Sequence, residues 1–219
     1  MTEDSRCETL EINFDAAQQF LKLLDDTTDV FCFRTYPDNR SDTQLSRNWT
    51  STFEETKPEL TALNKRGASV CVVINYGGHK DEEIQRVRYI FADTDGANPK
   101  PLIKALQPHM IIGSSPRRYH IYWKVSDCDI SKFRAVQGAI AKKYGTDPSI
   151  KNPSRIMRIP GFFHQKSVPT EVIILHHNLE YPPYSIEEIC LNLGLKAMNL
   201  LSNEAYQVLQ HQLTKRIFR

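Results

Sequence analysis

Residues 68–75, ASVCVVIN, form a near-continuous apolar run that YGGHKD (76–81) ends with turn chemistry. An extended chain turns successive side chains to opposite faces, so a run without polar alternation must be covered on both sides. That is the place of a central strand, and any fold open to this chain is built around it. Further strands are expected at VFCFRTY (30–36), at 87–92 within VRYIFADTDGANPK, at HMIIGSS (109–115), at RIMRI (155–159) and at TEVIILH (170–176). RYHIYWKV (118–125) alternates and follows HMIIGSS across Pro116, so these two predict a hairpin. Helical spacing recurs at Phe14, Ala17, Leu21 and Leu24, with Asn13 or Asp15 available as a cap. It returns over 54–65, in PLIKAL (101–106), and through Ile130, Phe133, Val136, Ile140 and Tyr144. Strands and helices interleave without strict alternation, which predicts an α+β fold with a mixed β-sheet rather than a doubly wound parallel sheet. NLEYPPYS (178–185) closes this unit, so one domain is expected over residues 1–180. Helical periodicity at 185–193 and 199–217 predicts a small helical C-terminal appendage over 185–219.

A chain of 219 residues is long enough for one sizeable domain with such an appendage. Its apolar stretches fall far short of the roughly 18 residues that span a bilayer. Its first residues, MTEDSRCETLE, are acidic rather than signal-like, so a cytoplasmic protein without a membrane partner is expected. The five cysteines, Cys7, Cys32, Cys71, Cys128 and Cys190, are scattered and include no C-x-x-C pair. Buried or idle thiols are expected, and no zinc site. The net charge of +2 conceals an asymmetry. Residues 1–33 hold eight acidic residues against Arg6 and Lys22, whereas Lys142 to Lys166 holds six basic residues against Asp147 alone. Such a basic stretch suits a phosphate-bearing partner, and equally the solvation of a surface.

Three stretches carry chemistry. In the first, Asp93 and Asp95 stand at i and i+2 at the end of a predicted strand. That spacing turns both carboxylates to one face about 6–7 Å apart, within reach of one cation or straddling two. Asp and Gly also favour a solvated turn. In the second, GSSPRRYHIYW (113–123), two hydroxyls, two guanidiniums and an imidazole crowd a tight turn. Backbone N–H groups with Ser114, Ser115 and Arg117 suit phosphate oxygens, and His120 faces the same pocket. A structurally bonded histidine and a salt-bridged turn use the same residue types. In the third, YGTDPSIKNPSRIMRIPGFFHQK (144–166), Asp147 precedes Pro148, and Arg155 and Arg158 fall on opposite faces of a short strand. Pro160 and Gly161 then turn the chain so that His164 and Lys166 return. A lone acid among bases fits a place shared by metal ions and phosphates, or an ordinary cap.

FADTDG, SSPRRYHIYW and TDPSIKNPSRIMRIPGFFHQK, in that order, resemble the three motifs of the archaeo-eukaryotic primase superfamily. The likeness is to the RepB-type primases and primase-polymerases of plasmids and phages, and it runs from about Val30 to His176. It implies a primase-polymerase catalytic core made of an RRM-like half and an N-terminal α/β unit. It implies that Asp93, Asp95 and Asp147 are catalytic and bind metal, two Mg²⁺ or Mn²⁺ ions about 3.5–4 Å apart. It assigns nucleotide binding to Ser114, Ser115, Arg117, His120, Arg155, Arg158 and Lys166, with Arg158 the triphosphate ligand and His164 a further contact. The implied partners are a single-stranded DNA template and nucleoside triphosphates. No G-x-x-x-x-G-K-[ST] stretch is present, so helicase activity would come from elsewhere. Some relatives carry a compact Ser-x-His, whereas here the serines lie several residues before His120. Tyr119, Tyr122, Trp123 and Phe162 offer stacking surfaces for template bases, with Tyr122 assigned to the core. Two other classes fit less well. A replication-initiator nickase needs a His-hydrophobe-His cluster that neither RYHIYW nor ILHHN supplies. A non-catalytic single-stranded nucleic-acid-binding module gives no reason for three acids among the bases.

Overall fold

The computed structural model describes residues 10–39 and 42–195. The apolar run becomes β3 (Ala68–Val73), buried along its whole length. It lies between β1 (Val30–Pro37) and β9 (Ile156–Arg158), with β2 (Arg47–Thr52) outside β1, in the order β2-β1-β3-β9. A second four-stranded sheet has the order β12-β7-β8-β6, from β6 (Tyr89–Asp93), β7 (Met110–Ser115), β8 (Arg118–Lys124) and β12 (Ile173–His177). β7 and β8 form the expected hairpin, turning through Arg117 at φ 63°. Two short ladders complete the strands: β4 (Tyr76–Gly77) with β5 (Ile84–Arg86), and β10 (Phe163–His164) with β11 (Thr170–Glu171). All these ladders are antiparallel, so the fold is α+β as expected but is built on antiparallel sheets in place of the expected mixed one.

Local signals explain the helices. α1 (Phe14–Leu24) is capped by Asn13, whose side chain accepts the Ala16 N–H. α2 (Phe53–Lys65) starts in a capping box made by Thr52 and Glu55. α3 (Lys100–Ala105) follows Pro99, and α4 (Ile130–Tyr144) ends where Gly145 turns left-handed at φ 68°. α5 (Ile186–Asn192) begins at a second capping box, Ser185 with Glu188. One core joins both sheets: Phe33, Val70 and Val72 belong to the same buried cluster as Phe91, Ile112, Ile121 and Tyr122. Edge-to-face contacts of Tyr122 with Phe20 and Tyr89 lie at its centre. Ile186, Ile189 and Leu193 join this core, and the Leu193 carbonyl accepts from Lys143 Nζ and Tyr144 Oη. The rest of the expected C-terminal appendage lies outside the described residues.

Two sequence-based expectations need correction. TEVIILH is not one strand. Val172 is buried and exchanges backbone bonds with Gly161 and Phe162, which divides the segment between two ladders. Trp123 and Phe162 are not stacking surfaces but core. Trp123 Nε1 donates to the Leu106 carbonyl at the end of α3, and Phe162 packs edge-on against Phe53. The period-two pattern of RYHIYWKV marks only one covered face, but Trp123 on the other is fully buried as well and reaches the Leu106 carbonyl. Tyr122 is core as expected, and Tyr119 is half-buried. Cys32, Cys71 and Cys190 are buried free thiols and Cys128 is a half-buried one. Among the described residues no helix is long and apolar enough to cross a membrane.

Gly161, in the turn after β9, takes φ 85° and brings its backbone against Asn13, whose N–H donates to the Gly161 carbonyl at 3.0 Å. A Cβ here would collide with the Asn13 carbonyl. Gly161→Ala is expected to lower stability by roughly 2–4 kcal/mol through strain and overpacking. Urea denaturation measures this, and a loss below about 0.5 kcal/mol would contradict the packing described.

Candidate functional site

Main-chain bonds bring the three motif segments together where the two sheets meet. β6 ends at Asp93, which lies opposite His120 of β8. Gly145 ends α4 with a sharp turn, and two residues later the Asp147 N–H donates to the Asp93 carbonyl at 2.9 Å. β9 pairs with β3 and sets Arg158 opposite Cys71.

The aspartates differ in setting. Asp93 is half-buried, and its Oδ2 lies 3.8 Å from His120 Nε2. Asp147 accepts from the Ser149 N–H and hydroxyl, both at 2.8 Å. Asp95 does not continue a strand beside Asp93. Pairing with β8 persists through Thr94, then the chain turns at Asp95, φ 41°, whose N–H donates to Asp93 Oδ1. The Asp-Gly turn preference has overridden strand alternation. The Asp95 carboxylate pairs with Arg118, each side chain being 51% exposed. Arg155 donates to the Ser149 carbonyl, and the Asp147 and Asp93 charges oppose the burial that lowers its pKa.

His120 is buried, with Tyr122 Oη 3.4 Å from its Nδ1. Burial pushes its pKa down to about 4. Asp93 opposes the shift, while Arg158 and His164 reinforce it. The imidazole is therefore neutral at neutral pH. Those same influences tie the first and second segments to the third.

Beside this group a cavity of about 560 Å³ is lined by Tyr36, Pro37, Asp38, Asn39, Arg158 and Lys166. Arg158 Nε donates to Ser69 Oγ and its Nη2 to Asp38 Oδ1, both at 2.9 Å. Burial works against the Arg158 charge, but Tyr36, Cys71 and Asp38 outweigh it and raise the pKa. Lys166 is exposed at the cavity. At the β7–β8 tip Ser114 is buried, with its hydroxyl 3.4 Å from the Arg118 carbonyl; Ser115 is half-buried and Arg117 exposed. The structure thus groups Asp93, His120, Asp147 and Arg155, sets Arg158 and Lys166 on the neighbouring cavity, and leaves Asp95 with Arg118.

The donor chemistry fits a hard divalent cation, since Asp93 and Asp147 offer carboxylate oxygens from main chains bonded to each other. A third carboxylate joins them only if Asp95 leaves Arg118. Among the described residues no group of three or more histidine, cysteine or acidic side chains stands arranged around a metal position. Sequence reasoning missed Asp38, Ser69 and Tyr36, whereas the pairing of Arg118 with Asp95 matches the salt-bridged turn that the second stretch allowed. YPDN (36–39) reads as a plain turn, whereas Ser69, a hydroxyl inside the most apolar run, was a visible signal.

A family profile described as the RepB DNA-primase N-terminal domain matches residues 60–192, more than half of the chain and all three motif segments. Among solved structures, the AEP domain of the cyanophage S-2L primase-polymerase is similar with a TM-score of 0.70 at 22% identity, over 84% of this chain and 99% of that one. The crystal structure of primase RepB′ gives 0.58 at 17%, over 92% of this chain and 65% of that one. The catalytic domain of primase RepB′ in complex with initiator DNA gives 0.56 at 18%, over 92% and 96%. At these identities the likeness is one of fold. No curated protein matches significantly.

The setting of His120 predicts its titration. With the folded pKa below the ordinary histidine value of 6.5, the unfolded chain binds the proton first, so His120 makes stability fall as pH drops from about 6.5 towards 4. Its ring NMR signals are expected to stay those of neutral imidazole down to about pH 5. A midpoint near 6.5 would contradict the buried placement.

Proposed function

The chain belongs to the RepB DNA-primase N-terminal domain family, and from that premise we propose that it is a primase-polymerase that synthesises short primers on single-stranded DNA during replication of a plasmid or phage. The observation that carries this reading is the Asp147 N–H bond to the Asp93 carbonyl, which joins two acids distant in sequence beside the Arg158 and Lys166 cavity. RepB′, which shares the fold, was solved with initiator DNA, and that supports a DNA template here.

Asp93 and Asp147, with Asp95 released from Arg118, would hold two Mg²⁺ or Mn²⁺ ions. When bound, such ions supply activation of a 3′-hydroxyl and neutralisation of the departing pyrophosphate. The chain's own groups do the rest. Arg158 presents a planar fork to triphosphate oxygens, which a lysine cannot copy, and Lys166 adds a mobile point charge. His120, neutral, donates a hydrogen bond to phosphate without adding charge. Ser114, Ser115 and Arg117 at the hairpin tip extend the phosphate contacts, and Arg155 offsets the Asp93 and Asp147 charges. Tyr119, half-buried, is the aromatic of the second motif left to stack on a template base. The protein works in the cytoplasm, with strand separation supplied by another protein or by another part of the same gene product.

Incubation with single-stranded DNA, labelled nucleotides and Mn²⁺ is expected to yield oligonucleotides. A covalent DNA adduct, or binding without synthesis, would overturn the proposal. Asp93→Asn and Asp147→Asn are expected to reduce synthesis by roughly a hundredfold or more. Because each substitution keeps an acceptor oxygen and removes like-charge repulsion, the melting temperature should hold or rise. Structural acids would instead lose both.

A further inference from the structure

Asp38 is the sole carboxylate among the described residues lining the cavity of Arg158 and Lys166. By charge alone an acid is out of place in a site for phosphate. Its side chain is only 1% exposed, and it accepts from Ser69 Oγ at 2.8 Å, Arg158 Nη2 at 2.9 Å and the Gln165 N–H at 2.7 Å. His164 Nε2 stands 3.7 Å from Oδ1. The end of β1, the start of β3, β9 and the segment after β10 are thus fastened to one carboxylate. Ser69 donates to Asp38 and accepts from Arg158 Nε. Two of the three guanidinium nitrogens are therefore gripped from behind, with the group 6.0 Å from the Tyr36 ring centroid.

We infer that Asp38 is a positioning residue: acting with Ser69, it locks the Arg158 fork towards the cavity so that the fork meets a triphosphate already aligned. This rests on reading the cavity as the triphosphate site. Two effects of the carboxylate on an incoming anion have opposite signs. Its charge repels the anion, and its grip pre-orients the cation that attracts it. A guanidinium without its buried partner would have to reorient to recover hydrogen bonds, so the grip prevails while Arg158 is present. Without Arg158 only the repulsion is left.

The expected signature is a change of sign. Titration calorimetry of the full chain with inorganic tripolyphosphate and with dATP, both in Mg²⁺, should show Asp38→Asn weakening binding by roughly fivefold to tenfold. In an Arg158→Ala background the same substitution should leave binding unchanged or tighten it. In a Lys166→Ala background it should keep its full cost. Primer synthesis should show the loss in KM for nucleotide with kcat little changed. Should Asp38→Asn fail to fold, Ser69→Ala removes the other half of the grip and should show the same dependence on Arg158, with a smaller loss. Tighter binding by Asp38→Asn with Arg158 intact, or an equal cost with and without Arg158, overturns the inference alone. A wild-type protein that binds neither tripolyphosphate nor dATP overturns the triphosphate reading, and this inference with it.

Discussion

The bond from the Asp147 N–H to the Asp93 carbonyl is 2.9 Å long and joins residues more than fifty positions apart. It forms because α4 stops at a left-handed Gly145 and because the β6–β8 register ends its strand at Asp93. Everything chemical about the site follows from that juncture. Carboxylates carried on neighbouring main chains repel. The fold sets cations beside the acids. Arg155 feels both Asp93 and Asp147, and Arg118 takes Asp95. An exposed pair such as Asp95 with Arg118 is worth at most about 1 kcal/mol, so it neutralises Asp95 without committing it.

Around that juncture charge is graded by burial. His120, deepest, is kept neutral. Arg158 keeps its charge because Asp38 and Ser69 satisfy it from behind, and Lys166 stands in solvent. The scaffold that fixes these positions is itself clamped. Asp25, at the end of α1, accepts from Arg86 and Arg88, and against the upward push of burial its bonds with Thr27 and the Arg88 guanidinium hold its carboxyl at about 2. The end of α1 is thereby tied to β5 and to the residue that leads into β6, the strand that carries Asp93.

What the sequence made legible was local. β3 showed in an unbroken apolar run, the β7–β8 hairpin in alternation across Pro116, and α4 in its spacing. What it hid was tertiary. Asp95 lies in a turn, one of the two readings its Asp-Gly pair allowed, and the end of the β8 pairing at Thr94 decides between them. Trp123 and Phe162 are core because they meet Leu106 and Phe53, residues remote in sequence, on faces that one strand's pattern leaves open. Asp38 is disguised by YPDN, since an aspartate in a turn signal gives no hint that three strands and a following segment will close over it. The motifs placed Asp93, His120 and Asp147 in one neighbourhood, but the Arg118 partnership of Asp95 and the Asp38 grip on Arg158 needed coordinates.

The most direct test is anomalous diffraction from crystals of the protein soaked with Mn²⁺ and a nucleoside triphosphate. Manganese is expected between the Asp93 and Asp147 carboxylates, with Asp95 detached from Arg118 and the triphosphate running to Arg158 and Lys166. Manganese bound elsewhere, or a triphosphate seated away from Arg158, would contradict the account.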